Sequence, residues 1–146
     1  MRLWPSAPAW LADSAGSLSS TTYASYTSRR ADRHGGVGNV ALVTVEVLYS
    51  SGCPNHERWL PHLHALLQSA GVREPLQLVA VETHAAARNH RFLGSPSLRI
   101  DGTDVESGAW QRTDFGLKCR LYATTDGLVG VAPNEWVLAA VYAAKR

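Results

Sequence analysis

The segment from Val43 to Leu67 constrains the fold more than any other part of the chain. It reads VTVEVLYSSGCPNHERWLPHLHALL: a β-branched run, a Ser-Ser-Gly break, then Cys53-Pro54 and leucines at helical spacing. Valine and tyrosine favour a strand, Gly52 favours a tight bend, and proline suits the first helical position, where no N–H is needed. The segment therefore predicts a strand, a loop and a helix, with a cysteine at the helix N-terminus. There the helix macrodipole and the free N–H groups stabilise a thiolate.

The rest of the domain predicts further strands and helices in a regular order. We expect a strand at 76–81, a helix at 82–93, a strand at 97–100 continuing at 103–106, a hairpin of 119–123 and 128–131 around Asp126-Gly127, and a last helix opened by Pro133. The segment 107–118 has no regular pattern. The order βαβα, followed by strands and a helix, predicts a small α/β sandwich with a mixed sheet.

The first forty residues differ in composition from the rest. They are rich in Ser, Ala, Thr and Gly and show no sustained period, so we expect residues 1–40 to be a disordered tail and 41–146 to be the folded domain. The tail lacks the continuous apolar run of a signal peptide. Two cysteines without a secretory signal indicate reduced thiols in a cytoplasmic protein.

The charge pattern argues against two classes of partner. The net charge is only +2 and the arginines are scattered, so we expect neither nucleic acid nor a membrane surface as a partner. No apolar run approaches the roughly 18 residues of a membrane span. The cysteines and histidines lack the paired spacing of a zinc site, and no cofactor is expected.

Several short motifs together resemble the thioredoxin superfamily. These are Cys53 in CPNH at a helix start, Pro61 eight residues later, and Ser95-Pro96-Ser97 ahead of a strand. The resemblance implies a thioredoxin-like fold over residues 41–146, with a mixed central sheet flanked by helices. It also implies that Cys53 is the attacking cysteine, that His56 occupies the resolving position, that Pro61 kinks the helix, and that Pro96 is a cis-proline facing Cys53.

The chain departs from that family at two positions. The second cysteine of the usual dithiol motif is absent, because His56 stands in its place. Glu46 lies one residue away from the position of the buried acid, so on a regular strand it points to the opposite face. GCPN near the start and CRLY near the end also resemble small bacterial thioredoxin-like proteins, some of which are named alkylmercury lyase.

Other residues of interest have more than one interpretation. Cys119 heads a predicted strand, and its position suits a core residue and a functional thiol equally. His56 lies one turn into the helix, where it is placed either to stabilise a thiolate or act as an acid/base, or simply to face solvent. Arg120 is predicted to lie on the surface of a strand, and the alternative is that it holds an anion or lowers the pKa of a neighbouring thiol.

Three classes of function remain open. The favoured one is a thiol-dependent oxidoreductase, in which Cys53 reacts with a disulfide or a peroxide and its partner is a protein or a small-molecule thiol or disulfide. The second is the handling of a soft metal ion by Cys53 and Cys119, or alkylmercury lyase-like chemistry with Asp114 as the acid. The third is a non-enzymatic thioredoxin-like module that binds a peptide along the Pro96 strand.

A lone thiol at a helix N-terminus needs a second thiol to resolve its oxidised form. The only other cysteine is Cys119, which lies 66 positions after Cys53 and follows the irregular segment 107–118. We predict that this segment carries Cys119 over the sheet edge to Cys53. The pair then forms a disulfide under mild oxidation, or shares a soft metal ion when reduced. The substrate, the reductant and the oligomeric state stay open.

Overall fold

The structure is a computed structural model that describes residues 42–146, so the predicted tail at 1–40 lies outside the described residues. Within this range the elements are β1 (Val45–Tyr49), α1 (Pro54–Ser69), β2 (Gln77–Ala80), α2 (His84–Asn89), β3 (Ser97–Ile100), β4 (Thr103–Asp104), β5 (Tyr122–Thr124), β6 (Gly127–Val129) and α3 (Asn134–Ala144). A short 3₁₀ turn, Ala109–Gln111, interrupts the irregular segment. The predicted α/β class is confirmed.

Four of the strands form one mixed sheet in the order β2-β1-β3-β4. β1 pairs with β2 in parallel, whereas β1 with β3 and β3 with β4 are antiparallel. A parallel pair needs a crossover connection, and α1 supplies it. β5 and β6 form a separate hairpin. Among the described helices, none has the length and apolar composition that crossing a membrane requires.

The two faces of β1 bury side chains in two different clusters. Val45 and Val47 point to one face, and apolar side chains of the two longer helices pack with them: Trp59, Leu63, Leu67, Val137 and Val141. Leu48 points to the other face, where its buried neighbours are Val81, Ala87 and Phe92. Successive side chains of a strand alternate between faces, so β1 is covered on both sides. This arrangement makes β1, and the loop that follows it, the centre of the domain.

α2 is shorter than the predicted helix at 82–93. The Thr83 side chain accepts a hydrogen bond from the Ala86 N–H, so the helix begins at His84, two residues later than predicted. At the other end Arg91 has φ of +51°, and the Phe92 N–H donates to the Ala87 carbonyl. This closure is of the Schellman type, which usually has glycine at the left-handed position. Because Arg91 stands where glycine is usual, sequence analysis did not predict that the helix ends here.

β4 and the hairpin also differ from their predicted limits. β4 ends at Asp104, because the Asp104 carboxylate accepts a hydrogen bond from the Glu106 N–H and diverts the backbone from the strand. In the hairpin, Thr124 pairs with Gly127, so the two-residue turn is Thr125-Asp126 and lies one residue earlier than predicted.

Candidate active site

Cys53 lies where the sequence predicts it, at the start of α1. Gly52 turns the chain out of β1 with φ of +85°, a conformation that favours glycine, and Pro54 begins the helix. Cys53 is the N-cap residue, yet its side chain caps no backbone N–H, so the sulfur is free for chemistry. Only 6% of the residue is exposed, and it lies at the positive end of the helix dipole.

The loop before β3 packs against Cys53 and contains the predicted cis bond, between Ser95 and Pro96. Cys53 Sγ lies 3.4 Å from the Ser95 carbonyl oxygen. The Ser95 hydroxyl accepts a hydrogen bond from the Ser50 N–H at 3.1 Å. On the other side, the Tyr122 hydroxyl donates to the Pro96 carbonyl at 2.9 Å. Ser95 therefore joins the loop that carries Cys53 to the loop that carries the cis-proline.

A third segment, around Cys119, pairs with the same loop. The Ser95 N–H donates to the Lys118 carbonyl at 2.8 Å, and the Arg120 N–H donates to the Ser95 carbonyl at 2.9 Å, forming an isolated parallel bridge. Gly94 permits this approach, because a Cβ atom there would lie 2.9 Å from both Arg120 N and Lys118 O. The bridge places Cys119 directly beside the cis-proline loop.

The two cysteine sulfurs meet at this point. Cys53 Sγ and Cys119 Sγ are 3.9 Å apart, and both thiols are free. Cys53 is buried, whereas Cys119 is exposed. The predicted approach of Cys119 to Cys53 is thus confirmed, and the alternative interpretation of Cys119 as a core residue is wrong. The sulfurs need to move about 2 Å closer to reach the bond length of a disulfide.

Contact with Cys53 changes the acidity of the Cys119 thiol. The pKa of Cys119 is raised above its ordinary value, first by its hydrogen bond with Cys53, then by the negative charge on Cys53, and then by burial. The raised pKa favours the protonated form of Cys119. The two sulfurs therefore lie in different environments, with Cys53 buried and Cys119 exposed.

His56 is buried beneath the site without contacting either sulfur through a hydrogen bond. Its Nδ1 lies 2.7 Å from the Cys53 carbonyl oxygen, and its ring stacks on Tyr49 with centroids 4.4 Å apart. Since a carbonyl can only accept, Nδ1 carries the proton in this contact. The interpretation of His56 as an exposed helix residue is wrong. Pro61, by contrast, lies inside α1 and is exposed.

Arg120 is the clearest error of the sequence analysis, which placed it on the surface. It is 1% exposed, and its guanidinium binds Asp104 at 2.8 and 2.9 Å, Glu106 at 2.6 Å and the Ser97 hydroxyl at 2.7 Å. Asp104 ends β4 and Glu106 lies two positions later in the bend that follows, and both carboxylates face the guanidinium. Sequence analysis missed this cluster, because its members come from different segments of the chain.

Asp114 is unsuited to the acid role considered for it. Its carboxylate binds the Arg112 guanidinium at 2.7 and 3.0 Å and Lys118 Nζ at 2.7 Å. The hydrogen bonds from Arg112 and then Lys118 hold the pKa of Asp114 well below its ordinary value. Asp114 is therefore ionised at neutral pH and carries no proton to give to a leaving group.

A pocket of about 210 Å³ opens beside the two sulfurs. It is lined by Ser50–Cys53, Glu82, Leu117, Lys118 and Cys119. The Glu82 carboxylate accepts hydrogen bonds from the Ser51 N–H at 3.2 Å and the Ser51 hydroxyl at 2.6 Å. Sequence analysis missed Glu82, because its position at the site depends on the packing of β2 beside β1.

The cysteine pair is the ligand set available to a metal ion at this site. Within residues 42–146, no group of three or more His, Cys, Asp or Glu side chains is placed to hold a metal ion. Comparison with protein-family models, with curated proteins and with solved structures found no match.

Proposed function

We propose that the protein is a thiol-dependent oxidoreductase whose two reacting groups are Cys53 and Cys119. The observation that carries this proposal is the 3.9 Å distance between the two sulfurs, which come from segments 66 positions apart. Two free thiols at this distance need only a small movement to form a disulfide. The proposal places them in a reducing, cytoplasm-like compartment, with a protein or small-molecule disulfide as the partner.

The proposal assigns the described domain to the thioredoxin-like fold. Three features support this assignment: the parallel β1–β2 pair joined by α1, the cis-proline loop beside the helical cysteine, and the antiparallel β3–β4 pair that follows this loop. Where that fold usually has a second cysteine in the same helical turn, Cys119 supplies the second thiol from another segment.

The reaction proceeds in two exchange steps. The Cys53 thiolate attacks one sulfur of the substrate disulfide, so a mixed disulfide forms and the first substrate thiolate leaves. Cys119 then gives its proton to that thiolate or to water and attacks Cys53 Sγ, which releases the second thiolate. Two electrons pass from the protein to the substrate, and an external thiol later reduces the protein disulfide. With a peroxide, the Cys53 thiolate attacks one oxygen, the O–O bond breaks, and a sulfenic acid forms as an alcohol or water leaves. Cys119 then attacks Cys53 Sγ, so the S–O bond breaks and the disulfide forms with release of water.

The coupling between the sulfurs sets the order of these steps. While Cys53 is a thiolate, it raises the pKa of Cys119 and keeps Cys119 protonated. Once Cys53 is in a mixed disulfide, its charge and its hydrogen bond to Cys119 are lost, so Cys119 ionises more easily. His56 acts in this scheme as a positioning residue, because it binds the Cys53 carbonyl and not the sulfur.

Trapping the mixed disulfide tests the proposal. Cys119→Ser should accumulate a stable adduct on Cys53 with a disulfide probe such as cystamine, because the resolving thiol is gone. Wild type should instead form the Cys53–Cys119 disulfide, detected by peptide mapping. Cys53→Ser is the matched control and should form neither product. If wild type gives only free thiols or intermolecular dimers, the oxidoreductase proposal fails and the peptide-binding module becomes the better interpretation.

The same distance supports a second candidate, the binding of a soft metal ion. Two thiolates on a tetrahedral ion with metal–sulfur bonds of about 2.3 Å lie about 3.8 Å apart, close to the observed 3.9 Å. Cleavage of a carbon–mercury bond also needs a proton donor, and the ionised Asp114 does not provide one. The geometry therefore favours metal binding over lyase chemistry.

Metal titration of the reduced protein tests this second candidate. Wild type should bind one equivalent of Cd²⁺ with a thiolate charge-transfer band in the ultraviolet, and Cys119→Ser should lose the band and most of the affinity. Glu135→Gln, on the exposed first turn of α3, should bind like wild type. An unchanged band in Cys119→Ser would exclude a two-thiolate site.

A further inference from the structure

We infer that Arg120 is the positioning residue of the cysteine pair: its buried guanidinium holds the Cys119 segment against the cis-proline loop and so sets how readily the sulfurs pair. The inference rests on the proposed function, since it concerns disulfide formation between Cys53 and Cys119. It adds a role for a residue that contacts neither sulfur with its side chain.

The first support is the cluster of charges around the guanidinium. Arg120 is the largest fully buried side chain among the described residues, and burial of an unpaired cation is strongly unfavourable. Its two terminal nitrogens bind both Asp104 oxygens and one Glu106 oxygen. This two-pronged contact neutralises the guanidinium charge and also sets the orientation of the guanidinium relative to the Asp104 carboxylate. A lysine ammonium would supply the charge without that orientation.

The second support is that Arg120 holds the cis-proline loop on both sides of the cis bond. Its Nη1 donates to the Ser97 hydroxyl at 2.7 Å, and that hydroxyl donates to the Gly94 carbonyl at 2.7 Å. The guanidinium also lies over the Tyr122 ring at 4.7 Å from the centroid, and the Tyr122 hydroxyl binds the Pro96 carbonyl.

The third support is a short path from Arg120 to both sulfurs. The Arg120 N–H donates to the Ser95 carbonyl, and Cys53 Sγ lies 3.4 Å from the same carbonyl oxygen. Cys119 is the residue immediately before Arg120. Arg120 therefore positions Cys119 through the peptide bond between them, and it positions Cys53 through the shared Ser95 carbonyl. The contacts of its guanidinium with Asp104 and Glu106 hold Arg120 itself in place.

The measurable consequence is the equilibrium of one exchange reaction. The protein dithiol and one glutathione disulfide give the protein disulfide and two glutathione thiols. The equilibrium constant depends on how closely the fold holds the two sulfurs. A substitution that destabilises the reduced and oxidised folds equally leaves this constant unchanged. The constant therefore separates positioning from general stability.

The experiment measures this constant in glutathione buffers for full-length wild type, Arg120→Met and Ser97→Ala. We expect the constant to fall by about tenfold in Arg120→Met, a shift of about 30 mV, and by a smaller factor in Ser97→Ala. Ser97→Ala keeps the guanidinium and its carboxylates, so it decides the outcome if Arg120→Met does not fold.

Two controls are matched to the variants. Arg112→Gln removes a different cation from the same Glu106 carboxylate, and Val141→Ala removes buried core volume in α3. Both controls should have an equilibrium constant within about twofold of wild type, a much smaller change than the tenfold loss expected for Arg120→Met. The inference is overturned if wild type forms the disulfide and the equilibrium constants of Arg120→Met and Ser97→Ala equal that of wild type. It is also overturned if the constant of Val141→Ala falls as far as that of Arg120→Met. A wild type that forms no intramolecular disulfide at any glutathione ratio instead overturns the proposed function.

Discussion

At the scale of single residues, Glu82 sets the charge at the entrance to the two sulfurs. It is the one carboxylate among the residues that line the pocket, and Ser51 holds it there with two hydrogen bonds. Lys118 is the one cation that lines the pocket, and its Nζ binds the backbone carbonyl and the carboxylate of Asp114. The pocket therefore presents an unneutralised negative charge to an incoming disulfide.

Replacing Glu82 with glutamine should change the selectivity for charged disulfides. At low salt we expect Glu82→Gln to react about two- to fivefold faster with the dianion 5,5′-dithiobis(2-nitrobenzoate) and slower by a similar factor with dicationic cystamine. The rate with neutral 2,2′-dithiodipyridine should not change. Stopped-flow kinetics measure all three, with Glu135→Gln as the control. A uniform change with all three probes would show that Glu82 acts on the thiols and not on the substrate charge.

At the scale of elements, sequence analysis succeeds where a local signal marks the structure. The Gly52-Cys53-Pro54 turn into α1 was predicted correctly, because glycine tolerates a positive φ and proline suits the first helical position without help from distant residues. The cis bond before Pro96 was predicted from the thioredoxin resemblance, and the structure contains it. The end of α2 was missed because Arg91 takes a left-handed conformation that few L side chains adopt. At Arg91 the tertiary structure overrides the preference of an L side chain for a negative φ.

The Arg120 cluster shows what an element-by-element analysis cannot reach. Its partners Ser97, Asp104 and Glu106 precede it by 23, 16 and 14 positions and come from other segments of the chain. A strand pattern gives no reason to bury an arginine until these partners are known to converge. Cys119 was placed correctly on chemical grounds, since an oxidised Cys53 needs a second thiol, and no pattern around Cys119 required it.

At the scale of the whole molecule, the cysteine pair depends on three segments that are far apart in sequence. These are the loop before α1, the cis-proline loop and the Cys119 segment, which meet at the Ser95 backbone. The α/β class and the element order followed from periodicity, whereas this meeting point required the sheet order and the bridge between Ser95 and Cys119.

Oxidation of the pair should therefore stabilise the folded protein. A cross-link between residues 66 positions apart restricts the unfolded chain and, in the chain-entropy model, raises the free energy of unfolding by about 4 kcal/mol. Urea unfolding of the oxidised and reduced wild type measures this difference. Cys119→Ser, treated with the same oxidant, is the control and should show no difference. Equal unfolding free energies in the presence of a complete disulfide would contradict this prediction.

The 66-residue separation also makes oxidation conditional on folding. A Cys-x-x-Cys pair can form a disulfide in an unfolded chain, because its loop is short. Closing a long loop costs more conformational entropy, and in the folded protein the two cysteines are already close together. A newly made or damaged copy of this chain would keep its thiols reduced until β1, β3 and the Cys119 segment assemble around Ser95. Disulfide formation would then report that a given molecule has reached its native state.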